Sequence, residues 1–226
     1  MLLCVCVYIF TTNYVADSYG KVGNDIRKAV LDGWPANNIV ASDLRKGFWD
    51  IGHELFNSTP ETFPVVFVEG NVFDDNLLSI NSVNSESPSP LSNITTLSAL
   101  VKRVSAIHAS ALFHLFPEDQ QLSLARRLAA LLIYQPGSII FGQHNSLPVK
   151  GPREDMSVRV PNEPGKTTPM FCHSPESWEK LWTEDVFGDA SGTRVKVEAN
   201  LKEVPNDLTL VQENKLWVMS WSVQIV

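Results

Sequence analysis

Three short stretches carry residue types suited to holding a nucleotide. The first is DSYGKVGND, residues 17–25, in which Gly20 and Gly23 stand just ahead of a helix-forming segment that opens at Asn24. Glycines there let the backbone approach a ligand closely, and a helix start presents unpaired N–H groups to it. The second is Asp43, twenty residues past Gly23 and at the end of the run NIVAS. An acid at that spacing in a βαβ unit can accept both hydroxyls of a ribose. The third is Gly70-Asn71-Val72-Phe73 after the run VVFV, where an amide could bond an adenine edge while Val72 and Phe73 pack on its face. Each has a plainer reading. Two glycines three apart arise by chance, an aspartate before LRKGF can cap a turn, and Phe73 suits a core turn equally well.

Two histidines add acid–base chemistry. His108 and His114 flank the end of an expected fourth strand, where an imidazole can orient or deprotonate a substrate. Alternatively each satisfies a backbone group beside Phe113 and Phe116. His173 is expected to cap a helix together with Ser174, His53 to be a surface or packing residue, and His144 to face a lid. Met170, Phe171, Trp178 and Trp182 wall an apolar pocket or fill a core.

These residues need a sheet to bring them together. Helical and β-branched runs alternate, which predicts a mainly parallel sheet covered by helices on both faces, a Rossmann-like α/β fold. Strands are expected at 3–14, 38–42, 65–68, 104–108 and 138–141. Helices are expected at 24–31, ended by Gly33; at 47–56, with Phe48, Ile51 and Leu55 on its buried face; and at 97–102 and 175–183. The strongest helix follows Pro117. Its stripe is Leu122, Ala125, Leu128, Ala129 and Leu132, and Pro136-Gly137 stops it. Residues 81–92 read as an exposed loop and 142–168 as a mobile lid. Residues 195–201 and 216–223 alternate as antiparallel strands do. Ligands of such sheets bind outside the carboxyl ends of the strands, where Gly23, Asp43, Asn71 and His108 all fall.

Composition narrows the function classes. The chain has 226 residues, 44% apolar and 19% charged, which fits one α/β domain. A net charge of −7 argues against nucleic acid as a partner, because phosphate binding needs clustered Lys and Arg. Cys4, Cys6 and Cys172 have neither disulfide nor zinc spacing, so a reducing, cytoplasmic setting and no metal are expected. The opening run MLLCVCVYIF is about half the length of a membrane span and lacks preceding basic residues. It reads as a buried strand, with no membrane partner.

Longer stretches resemble a known family. DIRKAVLDGWPANNIVASDLRKGFWDIGHELF, FVEGNVFDD, IHASALFHLF, QQLSLARRLAALL with QPGSIIFGQ, and MFCHSPESWEKLW are similar, in order, to fungal secondary-metabolite methyltransferases, notably those acting on meroterpenoids. The likeness covers roughly residues 23 to 226. It implies a class I methyltransferase fold with an antiparallel last strand and S-adenosylmethionine as cofactor. It places Gly23 at the methionine end, Asp43 and Leu44 at the ribose, and Asn71, Val72 and Phe73 around the adenine. It also implies a small-molecule acceptor, methylated on a carboxylate or hydroxyl oxygen, and a homodimer. A hydroxyl acceptor would use His108 or His114 as base.

One departure bears on activity. The family pattern ahead of this stretch is an acidic residue followed by Gly-x-x-x-Gly. Asp17 and Gly23 match its ends, but Tyr19 takes the place of the first glycine and Gly20 lies one residue late. A side chain there would crowd the methionine moiety. A truncated or divergent start over 1–22 is therefore expected, with a catalytically impaired relative as one alternative function. A nicotinamide-dependent oxidoreductase is another, although no Gly-x-Gly-x-x-Gly run is present.

Overall fold

The computed structural model describes residues 6–9, 22–82, 90–159, 165–188, 192–204 and 216–226. The chain divides into two compact units, Met1–His108 with Arg127–Tyr134, and Ala109–Arg126 with Gln135–Val226.

The first unit is built on parallel strands β1 (Cys6–Ile9), β2 (Ile39–Asp43), β3 (Val66–Glu69) and β4 (Ala106–His108), in the order β3-β2-β1-β4. All five residues of β2 are buried, as a strand covered on both faces requires. Register sets Asp43 opposite Glu69, Ile9 opposite Ser42 and Tyr8 opposite His108, so the strands end together along one edge. Helix α1 (Asn24–Leu31) has the expected bounds, and Gly33 follows it at φ 103°.

Helix α2 (Lys46–Leu55) turns a different face inward from the expected one. Trp49 and Gly52 are buried, whereas Ile51 and Leu55 are 50% and 65% exposed. One indole supplies enough apolar surface to win the core side: Trp49 stacks on Phe67 of β3 with ring centroids 5.4 Å apart. Gly52 lies so close to Val22 that an added Cβ would overlap the Val22 carbonyl oxygen. Arg27 of α1 is held between the rings of Phe56 and Phe63, 4.4 and 4.2 Å from their centroids, and donates to Gly52 O and Ser58 Oγ.

Helix α3 (Glu118–Leu131) is shared between the units, with Arg127 onward in the first. Ala125, Leu128, Ala129 and Leu132 are buried as expected, together with Leu124, and of the expected stripe Leu122 alone is only partly buried. The helix stops before Pro136-Gly137 because Leu132 leaves it to form a parallel bridge with Val104.

In the second unit β5 (Ile139–Asn145), β8 (Val195–Val204) and β9 (Leu216–Ile225) run in the order β5-β9-β8, with β9 antiparallel to both neighbours. The chain after β4 joins β5 in the parallel sense, since Ala109 N–H donates to Phe141 O and Ala111 N–H to Gln143 O. The expected lid is corrected here. β5 runs on to Asn145, and β6 (Gly151–Arg159) pairs antiparallel with β7 (Thr167–Cys172), with an irregularity between Arg153 and Ser157. Its Pro, Gly and charged residues read as a loop, but cross-strand pairing overrides such local preferences. Helix α4 (Pro175–Lys180) widens into a π-helical turn over Leu181–Val186, where Phe187 N–H bonds Trp182 O. Among the described residues no helix is long and apolar enough to cross a membrane.

Candidate functional site

Most of the expected site residues lie in the first unit, at the ends of its strands. Asp43 closes β2 and is 4% exposed. Its Oδ1 accepts Arg45 N–H at 2.7 Å, while Glu69 Oε1, at the end of β3, accepts Lys46 N–H at 2.9 Å. Arg45, the N-cap of α2, offers no side-chain cap, so these carboxylates hold the amides entering the helix. Asp43 is thus a turn brace, with one oxygen engaged by its own loop. Leu44 beside it is 37% exposed.

Gly70 follows β3 at φ 154° and donates to Asp43 O at 3.0 Å; an added Cβ would come within 3.0 Å of the Leu77 side chain. Asn71 Oδ1 accepts Phe73 N–H at 3.0 Å, an Asx turn that leaves its NH2 as the donor end. Asn71 is exposed, Phe73 half-buried and Val72 buried, so Phe73 has the exposed apolar surface and Val72 supports the turn from within. Arg127 fixes the far end of this loop, donating to Asp75 Oδ1 at 2.8 Å and to Leu78 O at 2.5 Å.

Gly23 caps α1 in the left-handed conformation, φ 80°, with an added Cβ meeting the Trp49 ring at 3.0 Å. Asp17, Tyr19 and Gly20 lie outside the described residues. In the first turn of α1, Asp25 brings Oδ2 to 4.0 Å from Nδ1 of His108, the last residue of β4. Burial pushes the His108 pKa below that of a free imidazole, and Asp25 works against that shift. Asp25 was missed in the sequence reading. Its signal was present: an acid two residues past Gly23, at the start of a helix.

His114 belongs to the second unit and is 5% exposed; burial pushes its pKa down to about 4. Its ring lies 6.3 Å from that of His144, which does not face a lid. His144 is on β5, 3% exposed, against Phe113, Trp178 and Trp221, and its Nδ1 accepts Trp221 Nε1–H at 2.9 Å. Burial, with His114 and His173 adding repulsion, holds it well below a normal histidine pKa. Trp178 and Trp182 are fully buried, core rather than pocket wall. Ser174 caps α4 by accepting Ser177 N–H at 3.2 Å, and His173 Nδ1 lies 2.9 Å from Ser177 Oγ, as expected of a capping pair. His53 packs edge-on against Trp49. Among the described residues no group of three or more His, Cys, Asp or Glu side chains gathers to hold a metal.

No family model matches the sequence. The chain is 31% identical over 183 residues to the O-methyltransferase phiE of a fungal species, covering 81% of this chain and 51% of that protein. It is 28% identical over 162 residues to the asnovolin E/chermesin D methyltransferase nvfJ of Aspergillus novofumigatus, covering 72% and 49%. Against the methyltransferase adrK of Penicillium rubens it is 26% identical over 176 residues, covering 78% and 53%. It spans about half the length of the curated relatives it matches. Among solved structures, 1,6-didemethyltoxoflavin-N1-methyltransferase of Burkholderia thailandensis, bound to S-adenosylhomocysteine, aligns at TM-score 0.51 and 12% identity, over 98% of this chain and 72% of that one. A structure from echinomycin biosynthesis, concerned with converting a disulfide into a thioacetal, aligns at 0.53 and 13% identity, over 97% and 75%. At these identities the structural likeness speaks to fold alone, and the fold is that of the class I methyltransferases.

Proposed function

We propose that this chain, a relative of fungal secondary-metabolite methyltransferases, binds S-adenosylmethionine at the strand ends of its first unit and transfers the methyl group to an oxygen of a small-molecule acceptor. The observation that carries the reading is the likeness to named fungal methyltransferases, 31% identity over 183 residues for the O-methyltransferase phiE. Fit supports it too. The left-handed turn at Gly23 opens α1 toward a ligand, Asp43 ends β2, and the Asx turn at Asn71 exposes Phe73. Asp43 would meet the ribose hydroxyls at the end of β2, where its Oδ1 accepts Arg45 N–H. Bound there, the cofactor would supply an electrophilic methyl. The protein's share is then to align the acceptor in a near-attack line.

His108 is the base for a hydroxyl acceptor, whereas a carboxylate would need none. His114, with its pKa near 4, is the weaker base. A fungal secondary metabolite such as a meroterpenoid intermediate is the acceptor in this reading, and the enzyme is a cytoplasmic homodimer whose two units form one methyltransferase domain. The substitution at Tyr19 favours one alternative, a relative that has lost turnover.

Isothermal titration with S-adenosylmethionine tests the proposal. Saturable binding is expected, with Asp43→Ala weakening it at least tenfold while the protein stays folded. No heat at millimolar cofactor would sink the binding claim, and unchanged affinity in Asp43→Ala would move the ribose contact elsewhere.

A further inference from the structure

We propose that Glu69 is a positioning residue for cofactor binding: its carboxylate tethers the first turn of α2 to the end of β3 and so holds the Asp43–Leu44 turn where a ribose would meet it. The proposal rests on the functional reading above and deepens it, by naming a group that acts through the loop rather than on the cofactor.

The need for a tether lies in how α2 begins. The first amides of a helix have no partner within it, and Arg45, at the N-cap, supplies no side-chain cap. Two carboxylates take over, and they do different work. Asp43 Oδ1 accepts Arg45 N–H at 2.7 Å, two residues on, a bond that closes the turn upon itself. Glu69 Oε1 accepts Lys46 N–H at 2.9 Å from a different strand, 23 residues away in sequence. Lys46 places its ammonium on Asp50, so Glu69 engages the main chain. Of these two bonds, the second ties the turn to the neighbouring strand.

The anchor is itself fixed. Glu69 is the register partner of Asp43 across β2 and β3, and the next amide, Gly70 N–H, donates to Asp43 O at 3.0 Å. Gly70 lies so close to Leu77 that an added Cβ would come within 3.0 Å of its side chain. The carboxylate thus starts from backbone held by strand pairing, whereas the turn it holds is exposed from Leu44 to Gly47. A negative group at a helix start is also favoured by the helix dipole. A side-chain cap favours the ordered helix start by a factor of about five. Freed from it, residues 44–46 sample other positions, and a ligand must order them again at a cost in affinity.

Calorimetry with S-adenosylhomocysteine and amide hydrogen exchange followed by NMR, both on the full chain, test this together. Glu69 is exposed, so its replacement leaves the core intact. In Glu69→Ala the Lys46 amide is expected to exchange about fivefold faster or more, and affinity for S-adenosylhomocysteine to fall about threefold or more. Glu69→Gln keeps an oxygen that can accept, and should bring both back toward the wild-type values. Lys46 exchange unmoved by Glu69→Ala would overturn the proposal. So would a loosened Lys46 amide with affinity unchanged, which would leave Glu69 a helix cap and nothing more. An equal loss of affinity in both variants, with the Lys46 amide still held in Glu69→Gln, would also overturn it, by assigning the carboxylate to the cofactor directly. Failure of the wild-type chain to bind S-adenosylhomocysteine would sink the functional reading and this proposal with it, whereas a binding wild type indifferent to Glu69→Ala sinks the proposal alone.

Discussion

The two units use their polar side chains in opposite ways. In the first, carboxylates and amides sit at strand ends, where they bond backbone amides of the loops that follow: Asp43 to Arg45, Glu69 to Lys46, and Asn71 to Phe73. In the second, His114, His144 and His173 are sunk among Phe113, Trp178 and Trp221. The first arrangement shapes a surface without filling it. The second fills a core and keeps its imidazoles neutral. A histidine is therefore not one kind of evidence about function: at the end of β4 it faces a carboxylate, and on β5 it is packing that happens to carry two nitrogens.

The contrast can be broken most directly at Trp178. It is fully buried, and it makes edge-to-face contacts with Phe113 and His144 at 4.8 and 4.7 Å. Trp178→Ala should cost about 3–5 kcal/mol in urea denaturation. A loss under about 1 kcal/mol would mean that the second unit is not held by this cluster.

Acid comes next. His114 and His173 have folded-state pKa values of about 4, and His144 lies well below the normal value, all chiefly through burial. The unfolded chain takes up protons on these rings from about pH 6.5 downward, while the folded chain does not until about pH 4. Stability contributed by neutral burial is thus complete above that window and lost as pH falls through it, by up to about 1.4 kcal/mol per pH unit for each ring. Urea midpoints measured from about pH 7.5 to about pH 4.5 should fall accordingly. A flat profile between about pH 6.5 and about pH 5 would show that these rings are not buried neutral.

The smallest effect is expected on the outer face of α2. Ile51→Ser should change stability by no more than about 0.5 kcal/mol, since half of Ile51 is exposed. A larger loss would show that this apolar face is covered in the assembled protein.

Much of the framework was legible because local rules and tertiary packing agreed. α1 carries its own stop at Gly33, and VVFV reads as a strand on composition alone, although β3 lies at the sheet edge and its Val66 and Phe67 are only half-buried. Where they disagreed, the sequence misled. The apolar spacing of Phe48, Ile51 and Leu55 pointed to a core face, but Trp49 had more surface to bury and Gly52 allowed close backbone approach. Residues 142–168 looked like a lid because pairing between β6 and β7 lies in partners, not in local propensity. The placement of Asp43 and His108 at strand ends was legible, because each closes a recognisable apolar run. The nearness of Asp25 to His108 was not, because it depends on a strand that ends more than eighty residues later.

Gly52 has one further consequence. With no side chain, it sets the spacing between α2 and the turn that opens α1, like the thickness of a washer between two fitted parts. Any larger residue at 52 would push the Val22–Gly23 turn outward and carry Asp25 with it. Tolerance to change at that position is thus set by the contact of α2 with the turn before α1, although α2 carries none of the candidate site residues.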